Sequence, residues 1–289
     1  MSKLYQIADI RYWKKHPPIQ NRPVVEDIKG NKHLVKHSSR WKALGKINEM
    51  IVTKACEKAN FDAVKNQFAY DGQTSIISRL LDYQIEPLGL YLPYIIAESN
   101  ILQSNISDIF RQCTHPNDRK FKERFVDEFL LRALFEDTDA FPYKNISVKK
   151  PSTDADQSPL ELSSSYDFDF CLPRDPKQHP IHCFTGDITK NLKYIHKHYP
   201  QNAEKFFADF SFNNATMDQL FDLTDAPEAW YILGKNPDDC LIKHSKSRRQ
   251  NFEQNLGFLK DTFAKHDKKA TFHMSSTTPQ QKEGHSHEQ

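Results

Sequence analysis

Nucleophile, base and acid types crowd into one stretch of this chain, where His179, His182, Cys183, His196 and His198 follow Asp167, Asp169 and Cys171. A histidine that lowers a thiol pKa, itself oriented by a carboxylate, is the arrangement of a Cys-His-Asp hydrolase or transferase. Cys183, His196 and Asp167 or Asp169 are therefore the candidate catalytic residues. His182, Cys183 and His196 are equally a candidate metal set, and zinc is the ion that accepts mixed nitrogen and sulfur ligands in a tetrahedron. No other cofactor is expected. Geometry restricts both schemes, since adjacent residues such as His182 and Cys183 face opposite sides of a strand.

Asp167-Phe168-Asp169 also has the spacing that presents two carboxylates on one side of a strand to a divalent cation, although acids on an edge strand serve equally to block edge pairing. Leu92 to Asn100 resembles the helix that delivers the acid in lysozyme-like lytic transglycosylases, with Glu98 as the carboxyl, but the family's downstream glycine segment is missing. Near the N-terminus, Lys14, Lys15, Lys32, Lys36, Arg40 and Lys42 interleave with Tyr12, Trp13 and Trp41. Cations and rings together suit an anionic phospholipid surface or nucleic acid.

The elements that would position these groups read mostly as helices. Residues 1–37, interrupted by Pro17, Pro18 and Pro23, predict a basic, partly disordered arm. Residues 38–140 predict a helical domain: Ile47, Ile51, Ala55 and Ala59 form one stripe, Phe61, Val64 and Phe68 a short helix, Ile76, Ile77 and Leu80 a third, and Phe121, Phe125 and Phe129 a fourth. Leu90 to Leu102 predicts a buried helix. In the proline-rich residues 141–186, Tyr166, Phe168, Phe170 and Leu172 alternate with polar neighbours as in a half-buried strand, with Ile181 to Phe184 and Ile146 to Val148 as partners. Residues 187–267 predict a second helical domain and residues 268–289 a disordered tail. The fold class so read is mainly α, a multi-helix globular body with a small two- or three-stranded β element in the middle of the chain.

Composition removes several function classes. The chain has 289 residues and only 8 glycines, where ordinary usage would give roughly twenty. None are spaced as GxG or GxxxxGK, which argues against a dinucleotide dehydrogenase, a P-loop NTPase and a standard protein kinase, whose phosphate loops need residues without a Cβ. Five scattered cysteines without a CxxC point to reduced thiols in a cytoplasmic setting. No apolar run reaches the roughly twenty residues of a transmembrane helix, and no Sec signal peptide is evident. Thirteen Lys or Arg against five acids make the first 60 residues basic, on a mildly acidic remainder.

The last residues add a resemblance. Phe272 and Met274 precede Ser275-Ser276-Thr277-Thr278, and then Gln280, Gln281, Lys282 and Glu283. This pattern resembles the C-terminal signal of effectors that intracellular bacteria deliver by type IV secretion, and the glycine-poor body is similar to such proteins. The resemblance implies secretion into a host cytosol and binding to a host protein or anionic surface. The alternative is an enzyme whose site lies where sheet meets helix, around Cys183, His182, His196, Asp167 and Asp169.

Overall fold

Adjacent apolar pairs such as Val24-Val25, Phe68-Ala69 and Ile76-Ile77 are buried at both members, which a strand achieves only when its sheet is covered on both faces. The computed structural model describes residues 4–19, 21–37, 43–72, 74–112, 119–150, 160–168, 170–172, 180–222 and 237–274, with backbone alone at 43–44, 74, 180–186, 237–244 and 267–274. Strands β1 (Ile7–Asp9), β2 (Lys14–Ile19), β3 (Arg22–Glu26), β4 (Lys32–His37), β5 (Asn66–Tyr70) and β6 (Thr74–Arg79) form one sheet in the order β1-β5-β6-β4-β3-β2. Only β1 and β5 run parallel; every other neighbouring pair is antiparallel.

Helix α1 (Ala43–Lys58) enters between β4 and β5 and packs Ile47, Met50 and Ile51 into the same core as Phe68 and Ile76. The opposite face carries a smaller cluster of Ile10, Val25, Val35, Ala69 and Ile77, with Trp13 packed against it. Strand β7 (Ile85–Pro87) then leads through a 3₁₀ turn (Leu88–Tyr91) to α2 (Tyr94–Ala97), α3 (Ile106–Gln112) and α4 (Arg119–Leu134). Strand β8 (Ser147–Lys149) pairs with β7. Helices α5 (Pro180–His198), α6 (Pro200–Asp209), α7 (Asn214–Phe221) and α8 (Pro237–Met274) complete the described chain.

This architecture corrects the mainly helical reading. Six strands of one sheet lie within the first 79 residues, where an arm and two helices were expected. The apolar pair Ile76-Ile77 and the residues Phe61, Val64 and Phe68 imitate helical spacing because a sheet buried on both faces has no polar alternation to show. Pro17 and Pro18 fall in β2, an edge strand whose pairing skips from His16 to Ile19, so their missing N–H groups interrupt no ladder. The described residues of 166–172 form no strand, because Asp167 and Leu172 take left-handed backbone with φ of 58° and 50°. Residues 181–184 are helical, inside α5. The stripes of α1 and α4, and β8 at Ile146 to Val148, match the expectation closely.

Below the sheet the core is aromatic. Phe125, Phe129, Phe135, Phe210 and Phe252 are wholly buried, each contributing about 2–3 kcal/mol of hydrophobic stabilisation. Gly89 allows one close approach that matters for the site: its N–H donates to the Pro142 carbonyl at 2.9 Å, and a Cβ there would stand 2.8 Å from that of Tyr143. The loop following α4 is thereby pressed against the 3₁₀ turn.

Candidate active site

Lys36 lies near the end of β4 on the face turned toward α1, the face on which its register partner Ile76 joins the α1 core. Its Nζ donates to Glu49 Oε1 of α1 at 2.5 Å and stands 3.6 Å from Asp167 Oδ1. Glu49 is almost wholly buried and fully engaged: Lys46 Nζ donates to Oε2 at 3.0 Å and Asn66 Nδ2 to Oε1 at 3.2 Å. Burial opposes the Lys36 charge, but Glu49 and Asp167 outweigh it and hold the ammonium above the ordinary lysine range. The same balance, burial overcome by Lys36 and Lys46, holds Glu49 below the usual carboxylate range. Asp167 is the open member, its side chain 33% exposed.

A second network fixes the backbone around Asp167. Arg132, on the buried face of α4, donates from Nε to Glu128 at 2.8 Å and from Nη1 to Asp137. Its Nη2 donates at 3.0 Å to two carbonyls, those of Asn145 and Tyr166. The peptide preceding Asp167 and the peptide of Asn145 are therefore held by a single nitrogen. Thr138 Oγ1 donates to the Phe170 carbonyl at 3.2 Å and the Leu172 N–H to the Phe135 carbonyl at 2.8 Å, so residues 135–145 and 166–172 are laced together. Within this loop Asn145 Nδ2 donates to Asp139 Oδ2 at 2.9 Å and to the Asp139 carbonyl at 2.8 Å, and Lys144 Nζ lies 3.7 Å from Asp139 Oδ1.

The residues singled out by sequence are distributed unevenly over this arrangement. Asp167 belongs to the site, and so does Lys36, though as a buried ion pair rather than a surface cation. Lys14, Lys15 and Lys32 are exposed on β2 and β4, while Arg40 and Lys42 fall outside the described residues. Asp169 also falls outside them. His182, Cys183 and His196 share helix α5, where a rise of 1.5 Å per residue puts about 20 Å between His196 and the other two. The structure does not bring them to one centre. His196 instead packs its ring 4.9 Å from that of Phe263. Among the described residues no group of three or more His, Cys, Asp or Glu could hold a metal alone, and no helix is long and apolar enough to cross a membrane. Glu98 shows none of the desolvation expected of a glycosidase acid, since it ends the short α2 beside the exposed Tyr94 and Ile95. Glu49, Asp139 and Asn145 were missed. The available signal was a lysine in a short strand, a glutamate thirteen residues on in an amphipathic helix, and an Asp-x5-Asn loop closing another helix.

No family model and no curated protein matches the chain. Among solved structures it aligns with the Helicobacter pylori proinflammatory kinase CtkA at a TM-score of 0.58 and 10% identity, over 91% of this chain and 99% of that one. The fold is that of a kinase. Looser overlays join a chain of the Shewanella oneidensis MR-1 HipA, HipB and operator DNA complex, at TM-score 0.48, 13% identity and 89% and 69% coverage. An aminoglycoside phosphotransferase from Alicyclobacillus acidocaldarius follows at 0.25, 14% identity and 90% and 94% coverage. The kinase fold overturns the mainly helical description, and the tail residues 275–289 that carry most of the secretion resemblance lie outside the described residues. Glycine scarcity therefore does not exclude the fold, because the sheet forms this scaffold with no glycine-rich loop among the described residues.

In kinases a strand lysine paired with a helix glutamate, a metal-binding aspartate, and a catalytic-loop aspartate and asparagine make up the site. Here the strand lysine Lys36 is ion-paired to the helix glutamate Glu49 with Asp167 3.6 Å away, and Asp139 and Asn145, hydrogen-bonded to each other, are six positions apart where the H-R-D-L-x-x-x-N pattern has five. Mg²⁺ takes one or two carboxylates and completes its shell with water and phosphate oxygens. The one-third exposed Asp167 carboxylate and the Asn145 side-chain oxygen are oxygen donors of the kind Mg²⁺ takes.

Proposed function

We propose that this chain is an ATP-dependent phosphotransferase. The observation that carries the reading is the Lys36 ammonium, held between Glu49 at 2.5 Å and Asp167 at 3.6 Å on a kinase scaffold. In this reading Lys36 meets the α- and β-phosphates while Glu49 fixes its direction. Asp167 and Asn145 would hold Mg²⁺, which would supply neutralisation of the phosphate charge. Asp139 accepts the proton of an acceptor hydroxyl as its oxygen bonds to the γ-phosphorus, the bond from that phosphorus to the bridging oxygen breaks, and ADP leaves with the electron pair. The enzyme alternative of the sequence is thus retained with a different reaction and with Asp167 as the shared residue.

The test is incubation with Mg²⁺ and ATP labelled at the γ-phosphate, reading transfer to the chain itself and to a general protein acceptor, alongside calorimetric ATP binding. The expected result is Mg²⁺-dependent binding and transfer, with transfer abolished in Lys36→Met and Asp167→Asn. A folded wild-type protein that binds no ATP in the presence of Mg²⁺ refutes the assignment.

A further inference from the structure

The hairpin that would cover the nucleotide has no glycine. Ile19 pairs with Arg22, so only two residues of sequence separate the paired positions, and Asn21 stands at φ 61°. A turn this short offers no run of free backbone N–H groups to wrap phosphate oxygens, which is the service a glycine-rich loop performs over ATP. The site therefore needs donors from another source.

Strand register supplies one. Between β3 and β4, Val24 lies opposite Leu34, Val25 opposite His33 and Glu26 opposite Lys32. Continuing that ladder by two residues sets Arg22 opposite Lys36, and the period of two places both on the face of Val24 and Leu34. Arg22 is exposed, and among the described residues its guanidinium takes part in no hydrogen bond or ion pair. Its charge reaches Lys36, whose ammonium it disfavours. A second cation thus stands beside Lys36, where Glu49 is already engaged by Lys36 and Lys46 and Asp167 already faces Lys36 at 3.6 Å. A guanidinium is also the side chain whose planar donors match phosphate oxygens in pairs.

We infer that Arg22 binds the β- or γ-phosphate of the nucleotide, a side chain taking the place of the backbone amides of a glycine-rich loop. This inference rests on the ATP-dependent reading above. Calorimetric titration of the whole chain with ATP and with AMP, both with Mg²⁺, tests it in wild type, Arg22→Ala, Arg22→Lys and the hairpin control Lys15→Ala. Loss of one charge-assisted contact corresponds to roughly a 10- to 100-fold weaker Kd. The expected result is that loss for ATP in Arg22→Ala, unchanged AMP affinity, partial recovery in Arg22→Lys and wild-type behaviour in Lys15→Ala. Equal ATP affinity of Arg22→Ala and wild type, or an equal loss for AMP, overturns the assignment of Arg22 alone. A wild-type chain that takes neither nucleotide overturns the ATP reading along with it.

Discussion

Two buried charge networks lie on either side of Asp167, and they are built to opposite ends. Around Arg132 every guanidinium nitrogen is engaged by protein, with Glu128, Asp137 and the carbonyls of Asn145 and Tyr166, and the side chain is entirely sealed from solvent. Ser165 also donates to Glu128, so that carboxylate is satisfied in turn. Around Lys36 the inner half, Glu49 with Lys46 and Asn66, is as closed, but the outer half ends in a carboxylate one third exposed. Similar ion pairs thus differ in outcome: the saturated one fixes backbone, and the unsaturated one leaves a carboxylate facing solvent, which the proposed function assigns to a ligand.

The largest effect that can break this contrast is Arg132→Met. Removing the guanidinium leaves Asp137 buried without its ion-pair partner and Glu128 with only Ser165 and Arg124, at a cost of about 3–5 kcal/mol. Urea denaturation should show it, together with loss of nucleotide binding. Next, Lys36→Met should reduce phosphoryl transfer by roughly 100-fold or more. Its stability loss should stay near ~1–2 kcal/mol, because Lys46 and Asn66 still answer Glu49. If Lys36→Met unfolds the chain as readily as Arg132→Met, the distinction between the networks fails. Asp167→Asn sharpens it from the open side: transfer and Mg²⁺ dependence should vanish in the labelled-ATP assay while the melting temperature stays within a few degrees of wild type.

The smallest effect concerns a carboxylate that belongs to neither network. Asp127 lines a cavity of about 190 Å³ with Asp62, Arg124, Lys205 and Asp209, and takes no hydrogen bond or ion pair among the described residues. Burial, reinforced by Glu123 and Asp209 and opposed by Arg124 and Lys205, pushes it up to about 6. An unfolded aspartate titrates near ~4, so the unfolded chain loses this proton first and stability falls as pH climbs from about 4 to about 6. Asp127→Asn removes that loss. The variant should be about 1–2 kcal/mol more stable than wild type at pH 7, with the gap closing below pH 4 in paired denaturation curves.

What the sequence disclosed follows from how each element is buried. Helices α1 and α4 present one apolar face and one wet face, and their stripes are plain from Ile47 to Ala59 and from Phe121 to Leu134. The sheet is covered on both faces, so Ile76-Ile77 lacks the alternation by which a strand is recognised. Pro17 and Pro18 signal an irregular arm until their place on an edge strand is known. Asp167 and Lys36 were visible as residue types able to do chemistry, yet they stand 131 positions apart in sequence and 3.6 Å apart in space. Only the sheet register and the left-handed turn at Asp167 bring them together. The scarcity of glycine was read as excluding phosphate chemistry because the backbone was assumed to do the gripping; the hairpin ending in Arg22 shows that the scaffold stands without it.

One nitrogen of Arg132 clasps the carbonyls of both Asn145 and Tyr166. The two chain segments that present Asn145 and Asp167 are consequently yoked, and neither can be retuned without dragging the other. Under the proposed activity, change is thereby steered away from these two segments and toward exposed residues such as Leu90, Tyr94, Ile95 and Tyr143.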